Sequence, residues 1–173
     1  MIAMKRLILL EAICFLLALL FLYTAISKLV AFHQFAYDMH NQVFPHWVVD
    51  YILIPGVPTI EILIATGLYA TSAKSISIPI GNKSLRFSMP ALRLPALFAS
   101  LTMMFLFTVY TSLVLWHIFP RVPCSCGGII RSLSWKQHVF FNVFFLGVSI
   151  AGIWLYKTEK RNNQQMPAIF TSA

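Results

Sequence analysis

LILLEAICFLLALLFLYTAISKLVAF, residues 7–32, is one apolar run in which only Glu11 and Lys28 carry charge. A helix needs roughly 20 such residues to cross a hydrocarbon core, and a helix that is apolar all round has no solvent face to offer. Three more runs of this kind follow, Val48 to Thr71, Leu94 to Phe119 and Trp135 to Tyr156. The composition agrees with them. Of 173 residues, 59% are hydrophobic and 10% charged, with a mean hydropathy of +0.79, far from the balance of a soluble domain. The expected fold is an all-α membrane protein built as a four-transmembrane-helix bundle. Residues 1–156 form its membrane domain, and 157–173 a polar cytoplasmic tail, disordered from Arg161 onward. Little chain is left for a soluble domain, so chemistry done here needs the bundle, its loops or a separate partner.

The first run follows Lys5 and Arg6 as a cleavable signal peptide would. It continues past Ala25, holds Glu11 inside it and precedes three further spans whose orientation it must set, so we read it as retained. Nine Lys and Arg residues fall on one side of the four spans: Lys5, Arg6, Lys74, Lys83, Arg86, Arg93, Lys157, Lys160 and Arg161. The other side has only Arg121, Arg131 and Lys136, all between spans three and four. The positive-inside rule then makes both termini cytoplasmic and turns the third connection outward. The net charge of +8 reads as topology and contact with anionic lipid. No basic patch of a soluble domain is there to hold nucleic acid.

Short signals fill the connections. Phe32, Phe35, Ala36 and Met39 follow helical spacing with His33, Gln34, Asp38 and Asn41 elsewhere on the wheel, predicting a short interfacial helix after the first span that Pro45 ends. Ile76, Ile78 and Ile80, the Gly81-Asn82 turn signal, then Leu85, Phe87 and Met89 alternate as a small β-hairpin with one greasy face in the cytoplasmic connection. Pro79 would have to lie on its free edge. Ser134-x-x-Gln137 is a capping-box pattern that starts the fourth helix.

The outward connection contains Pro123-Cys124-Ser125-Cys126-Gly127-Gly128. Outside a bacterial cytoplasm, Cys124 and Cys126 meet oxidising conditions and can cycle between dithiol and disulfide. A bridge across a single residue is strained, and a strained bond is easily reduced, the behaviour of an exchanging disulfide. Gly127 and Gly128 allow the unusual angles such a loop requires, while Pro123 stiffens the approach. The plainer alternative is two cysteines that pack a loop. Cys14 falls in the cytoplasmic half of the first span, too far below the loop to pair, and reads as a small apolar filler.

Polar residues accompany the spans. Lys28 and Asp50 lie at similar depth and could pair; Glu61, two to three turns deeper, is costly in a bilayer and therefore a functional candidate, protonated, hydrogen-bonded or reached by Lys28 bending inward. A structural lock between spans one and two is the alternative for Glu61. His117 closes the third span, and His138 and Asn142 share a face at the start of the fourth. A histidine beside a thiol pair can lower its pKa or shuttle protons; one solvated at the headgroups does neither.

Together these residues resemble a known family. Phe21-Leu22-Tyr23-Thr24-Ala25-Ile26-Ser27-Lys28 is similar to the end of the first helix in DoxX-like membrane proteins, and Pro58-Thr59-Ile60-Glu61 with Gly67-Leu68 to their second. Cys124-Ser125-Cys126-Gly127-Gly128, then Ser134-Trp135, His138 and Asn142, resembles the loop and fourth helix of the MauE branch, with Gly127 where an aromatic is more frequent. The resemblance spans nearly all the chain to Tyr156. It implies a four-helix bacterial inner-membrane protein, associated with disulfide formation in other proteins and working beside a thioredoxin-like partner in methylamine dehydrogenase maturation. Cys124 and Cys126 would do the exchange, with His117, His138, Asn142, Lys28 and Glu61 in support. With a single usable thiol pair, electrons must leave to a quinone held among aromatic-rich helices or to a second thioredoxin-like protein, or flow outward in the reverse direction. Two other readings are a non-enzymatic assembly or anchoring subunit, and a Cu(I) site made from Cys124, Cys126 and a histidine. The residues do not decide the oligomeric state.

Overall fold

The computed structural model describes the backbone of residues 2–41, 44–70, 76–80, 83–87, 89–118 and 134–170, and the side chains of 5–41, 44–70, 92–118 and 134–161. Helix α1 runs Ile2–Val30 and α2 Phe32–His40. A short turn α3, His46–Val48, passes through a π-helical stretch, Val49–Leu53, into α4, Ile54–Ala70. Helix α5 is Met89–Leu115 and α6 is Trp135–Phe170. Four segments are long and apolar enough to cross a membrane: Lys5–Val30, His46–Ala70, Leu92–Leu115 and Trp135–Arg161. The chain is therefore an all-helical, multi-pass membrane protein in its described core. Ile8, Leu63, Phe105 and Phe140 stand exposed on its perimeter, an arrangement that lipid tails solvate and water would not.

Helix α1 packs on α4 and α6, and α5 packs on the same two, so the four close into a ring. Leu10, Leu17, Phe21, Leu68 and Leu97 are fully buried at its centre. Small residues bring the helices close, since apolar contact alone gains little against lipid. A methyl group at Gly67 would stand 3.2 Å from Ala96 Cβ, and one at Gly152 3.0 Å from Leu97 Cδ2 and 3.1 Å from Ile13 Cγ2. Ser100 and Ser149 share a buried hydrogen bond of 2.9 Å between α5 and α6. Arg93 donates to Glu11 across 2.6 Å, which ties α5 to α1 near the N-terminal ends of both helices and gives the charge inside the first span a partner.

The ends follow local chemistry. The capping box forms at α6: Ser134 N–H donates to Gln137 Oε1 at 2.8 Å and Gln137 N–H to Ser134 Oγ at 3.4 Å. Helix α2 stops before Pro45. Asn41 closes it, with backbone and side-chain N–H groups both donating to the Tyr37 carbonyl at 3.3 and 3.0 Å, and Pro45 instead stands at the N-terminal cap of α3. The wide π turn precedes Pro55, where a proline ring disturbs the regular ladder one turn back.

The expectation of a disordered tail from Arg161 needs correcting, because α6 continues to Phe170. No glycine, and no proline before Pro167, interrupts that stretch, and Glu, Lys, Arg and Gln are all good helix formers. Among residues with described side chains there is no strand. The backbone of Ile76–Ile80 pairs antiparallel with Lys83–Phe87 in the register Ile78↔Leu85, and the greasy face expected there lies outside the described side chains.

Candidate functional site

Near the C-terminal end of α1, the Lys28 ammonium turns into the bundle. Its Nζ donates to Glu61 Oε1 at 2.7 Å and Oε2 at 3.0 Å, and more weakly to the Thr24 carbonyl at 3.4 Å. Both side chains are sealed, at 5% and 1% exposure. Such a pair tolerates burial because each charge is matched and its hydrogen-bond capacity is used; either charge alone would be expensive. Of the two partners the sequence left open to Lys28, Glu61 is thus the one observed, and Asp50 meets another group: its Oδ1 lies 2.7 Å from His40 Nε2.

From α6, His138 and Asn142 reach the same interior, one turn apart on one face and 4% and 7% exposed. Asn142 donates to Thr111 Oγ1 of α5 at 3.3 Å, and Thr111 donates back to the Phe107 carbonyl at 2.8 Å. His138 Nδ1 lies 3.3 Å from the Ser134 carbonyl, an oxygen that can only accept, so Nδ1 carries a proton and in the neutral imidazole Nε2 is the accepting nitrogen. That Nε2 is buried with no hydrogen-bond partner among the described residues. Trp135 covers the imidazole, ring centroids 5.8 Å apart.

Lys28, Glu61, Thr24, His138 and Asn142 line one small cavity, closed by apolar residues that include Phe21, Met104 and Phe107. Its volume is about 30 Å³, one water's share of the liquid, whereas a benzene ring occupies an engineered cavity of about 150 Å³. A quinone head therefore does not fit inside. A larger groove of about 620 Å³ runs along the outside of α6, walled by Phe140, Phe141, Phe144 and Phe145 with Lys136 and Gln137 at one end.

Of the residues singled out from sequence, Lys28, Glu61, His138 and Asn142 thus come together. His117 does not join them. It is exposed just beyond α5 with φ of 55°, its N–H donating to the Val114 carbonyl at 3.0 Å while Ile118 N–H donates to Leu113 at 3.3 Å. This paired closure ends a helix on a left-handed residue, a position glycine usually holds. Its observed role is to cap α5. Cys124 and Cys126 lie outside the described residues, in the connection from α5 to α6. Cys14 is buried and free. Among the described residues no group of three His, Cys, Asp or Glu side chains could hold a metal; the Cu(I) reading depends on the two cysteines beyond them.

Sequence reasoning missed Thr24, Thr111 and His40. Thr24 stands one turn before Lys28 and was open to discovery from that spacing. Thr111 and His40 carry no such signal, since each finds its partner through tertiary packing.

Comparison with curated proteins and with solved structures finds no match. The family model described as methylamine utilisation protein MauE matches residues 6–155. That range crosses all four helices, both halves of the buried polar cluster and the connection holding Cys124 and Cys126, and on it the chain belongs to the MauE family.

Proposed function

We propose that the chain is the membrane component of a thiol–disulfide exchange system, resident in a bacterial inner membrane with both termini cytoplasmic and the Cys124–Cys126 connection outside. One membrane domain, residues 1–156, carries the function and 157–173 extend it on the cytoplasmic side. The observation that carries this reading is the placement of buried His138 and Asn142 in the first two turns of α6, directly after the connection that holds both thiols. Dithiol chemistry releases and takes up protons, and titratable groups beside it have a use.

In the exchange, a thiolate of a thioredoxin-like partner attacks one sulfur of the Cys124–Cys126 disulfide and expels the other as thiolate. The partner's second thiolate then attacks the mixed disulfide, leaving the partner oxidised and this chain a dithiol. Reoxidation passes two electrons and two protons to an acceptor. A quinone lying in the aromatic groove of α6 is one class of acceptor, a second thioredoxin-like protein the other. Maturation of an extracytoplasmic enzyme, in the manner the family description suggests for methylamine utilisation, is the process served.

The test is capture. With Cys124→Ser and Cys126→Ser made singly, one variant should accumulate a reductant-sensitive mixed disulfide with an extracytoplasmic thioredoxin-like protein, and the double variant none. Failure of both single variants to capture any partner, with function intact in the double variant, contradicts the reading.

A further inference from the structure

The one buried side-chain atom of the polar cluster without a described partner is His138 Nε2, and it belongs to a residue that lines the same cavity as Lys28 and Glu61. A buried acceptor left unpaired is costly, and native structures rarely keep one. The space is one water in size, about 30 Å³, and it is polar enough to hold that water, which needs two to four partners. His138, Glu61 and Asn142 are the residues on its wall whose side chains carry acceptors for it.

We infer that this cavity is a binding site for a single water molecule that donates to His138 Nε2 and links it to the Lys28–Glu61 pair, making the three side chains one proton-sharing unit. Among the described residues, the charged and titratable groups facing the site are Lys28 from α1, Glu61 from α4 and His138 from α6; α5 presents Met104 and Phe107, and none that titrates. The transfer it permits is balanced. A proton on Glu61 passes to the water as the water gives one to the bare Nε2 of His138, and Lys28 stays an ammonium throughout. One proton has moved between α6 and α4 with no other group changed. The site rests on geometry and not on thiol chemistry, so it can stand or fall separately from the exchange reading.

The experiment is nuclear magnetic resonance of the full chain in lipid bilayers with 15N-labelled histidine, measuring magnetisation transfer from water to each ring nitrogen. Five histidines are present, and His33, His40, His46 and His117 are exposed. His138 is assigned by loss of its signals in His138→Gln or, if that variant does not fold, by eliminating the other four one at a time. The expected result is a bare Nε2 on His138 that receives magnetisation from water, and loss of that transfer in Leu20→Phe or Met104→Phe, which put bulk into the cavity from α1 or α5. A dry Nε2 in the parent protein, a proton on Nε2 with Nδ1 bare, or transfer undiminished in both filled variants would overturn the site.

Discussion

Replacing Lys28 by Met should cost this protein far more than a lysine at the end of a membrane helix ordinarily would. The Nζ makes bonds of 2.7 and 3.0 Å to one carboxylate, with both side chains at 5% exposure or less. Removing one partner strands Glu61 as an unmatched charge, a loss of roughly 3–5 kcal/mol for buried pairs. In a membrane the unfolded reference also finds partners for its polar groups, which argues for the lower end, about 3 kcal/mol. At about 1.4 kcal/mol per tenfold, that is roughly a hundredfold in the folded-to-unfolded ratio. Glu61→Leu should cost about the same for the mirror reason. Lys28→Met with Glu61→Leu removes both charges together and should recover most of the loss, because apolar replacement of a whole buried pair is often neutral or stabilising. The assay is equilibrium unfolding in mixed micelles over the four members of the cycle. Single variants that each lose less than about 1 kcal/mol, or a double variant whose loss equals the sum of the singles, would refute the reasoning, since uncoupled sites simply add.

His117 holds a left-handed backbone with φ of 55°, a conformation that costs a non-glycine residue on the order of 1 kcal/mol. His117→Gly should therefore match or exceed the parent in thermal unfolding, while His117→Val should fall below it, against the ordinary order of these residues in membrane helices. Ser134→Ala should lose about 1 kcal/mol through the opened capping box, measured in the same unfolding assay. At His40, the hydrogen bond to the Ala36 carbonyl and then that to Asp50 raise the imidazole pKa above its ordinary 6.5. The imidazolium contact with Asp50 then contributes in full below pH 6.5 and is lost as the pH rises through the raised folded value. A histidine titration followed by magnetic resonance should place the His40 midpoint above 6.5, and Asp50→Asn should move it down.

The spans were legible because membrane helices declare themselves by length and apolarity alone, and their boundaries shift by only a few residues at each end. The α6 start was legible for a different reason: Ser134 and Gln137 are local partners, three residues apart, and need nothing from the rest of the fold. Glu61 could be singled out because a carboxylate has no cheap place in an apolar run. Its partner was legible only as a choice. Lys28 could bend inward to Glu61 or pair with Asp50 at equal depth, and the position of α2, which delivers His40 to Asp50, decides the question. The left-handed residue after α5 was hidden because the sequence has histidine where glycine would have announced it. The order of helices around the ring, which brings α6 against α1 and so His138 and Glu61 to one cavity, is set by side-chain fit such as Gly152 against Leu97 and leaves no periodic trace.

The proposed function turns on the thiol pair, so the most direct measurement is the redox state of Cys124 and Cys126 in intact cells. A membrane-impermeant thiol reagent is applied before and after a pulse of reductant, with Cys14 as the internal control for a buried thiol. Exchange chemistry on the outer face predicts that both cysteines are protected before the pulse, labelled after it, and protected again as the pair is reoxidised, while Cys14 never reacts. Two thiols that label at once without reductant and never become protected, or that stay unlabelled until the membrane is opened, would contradict it.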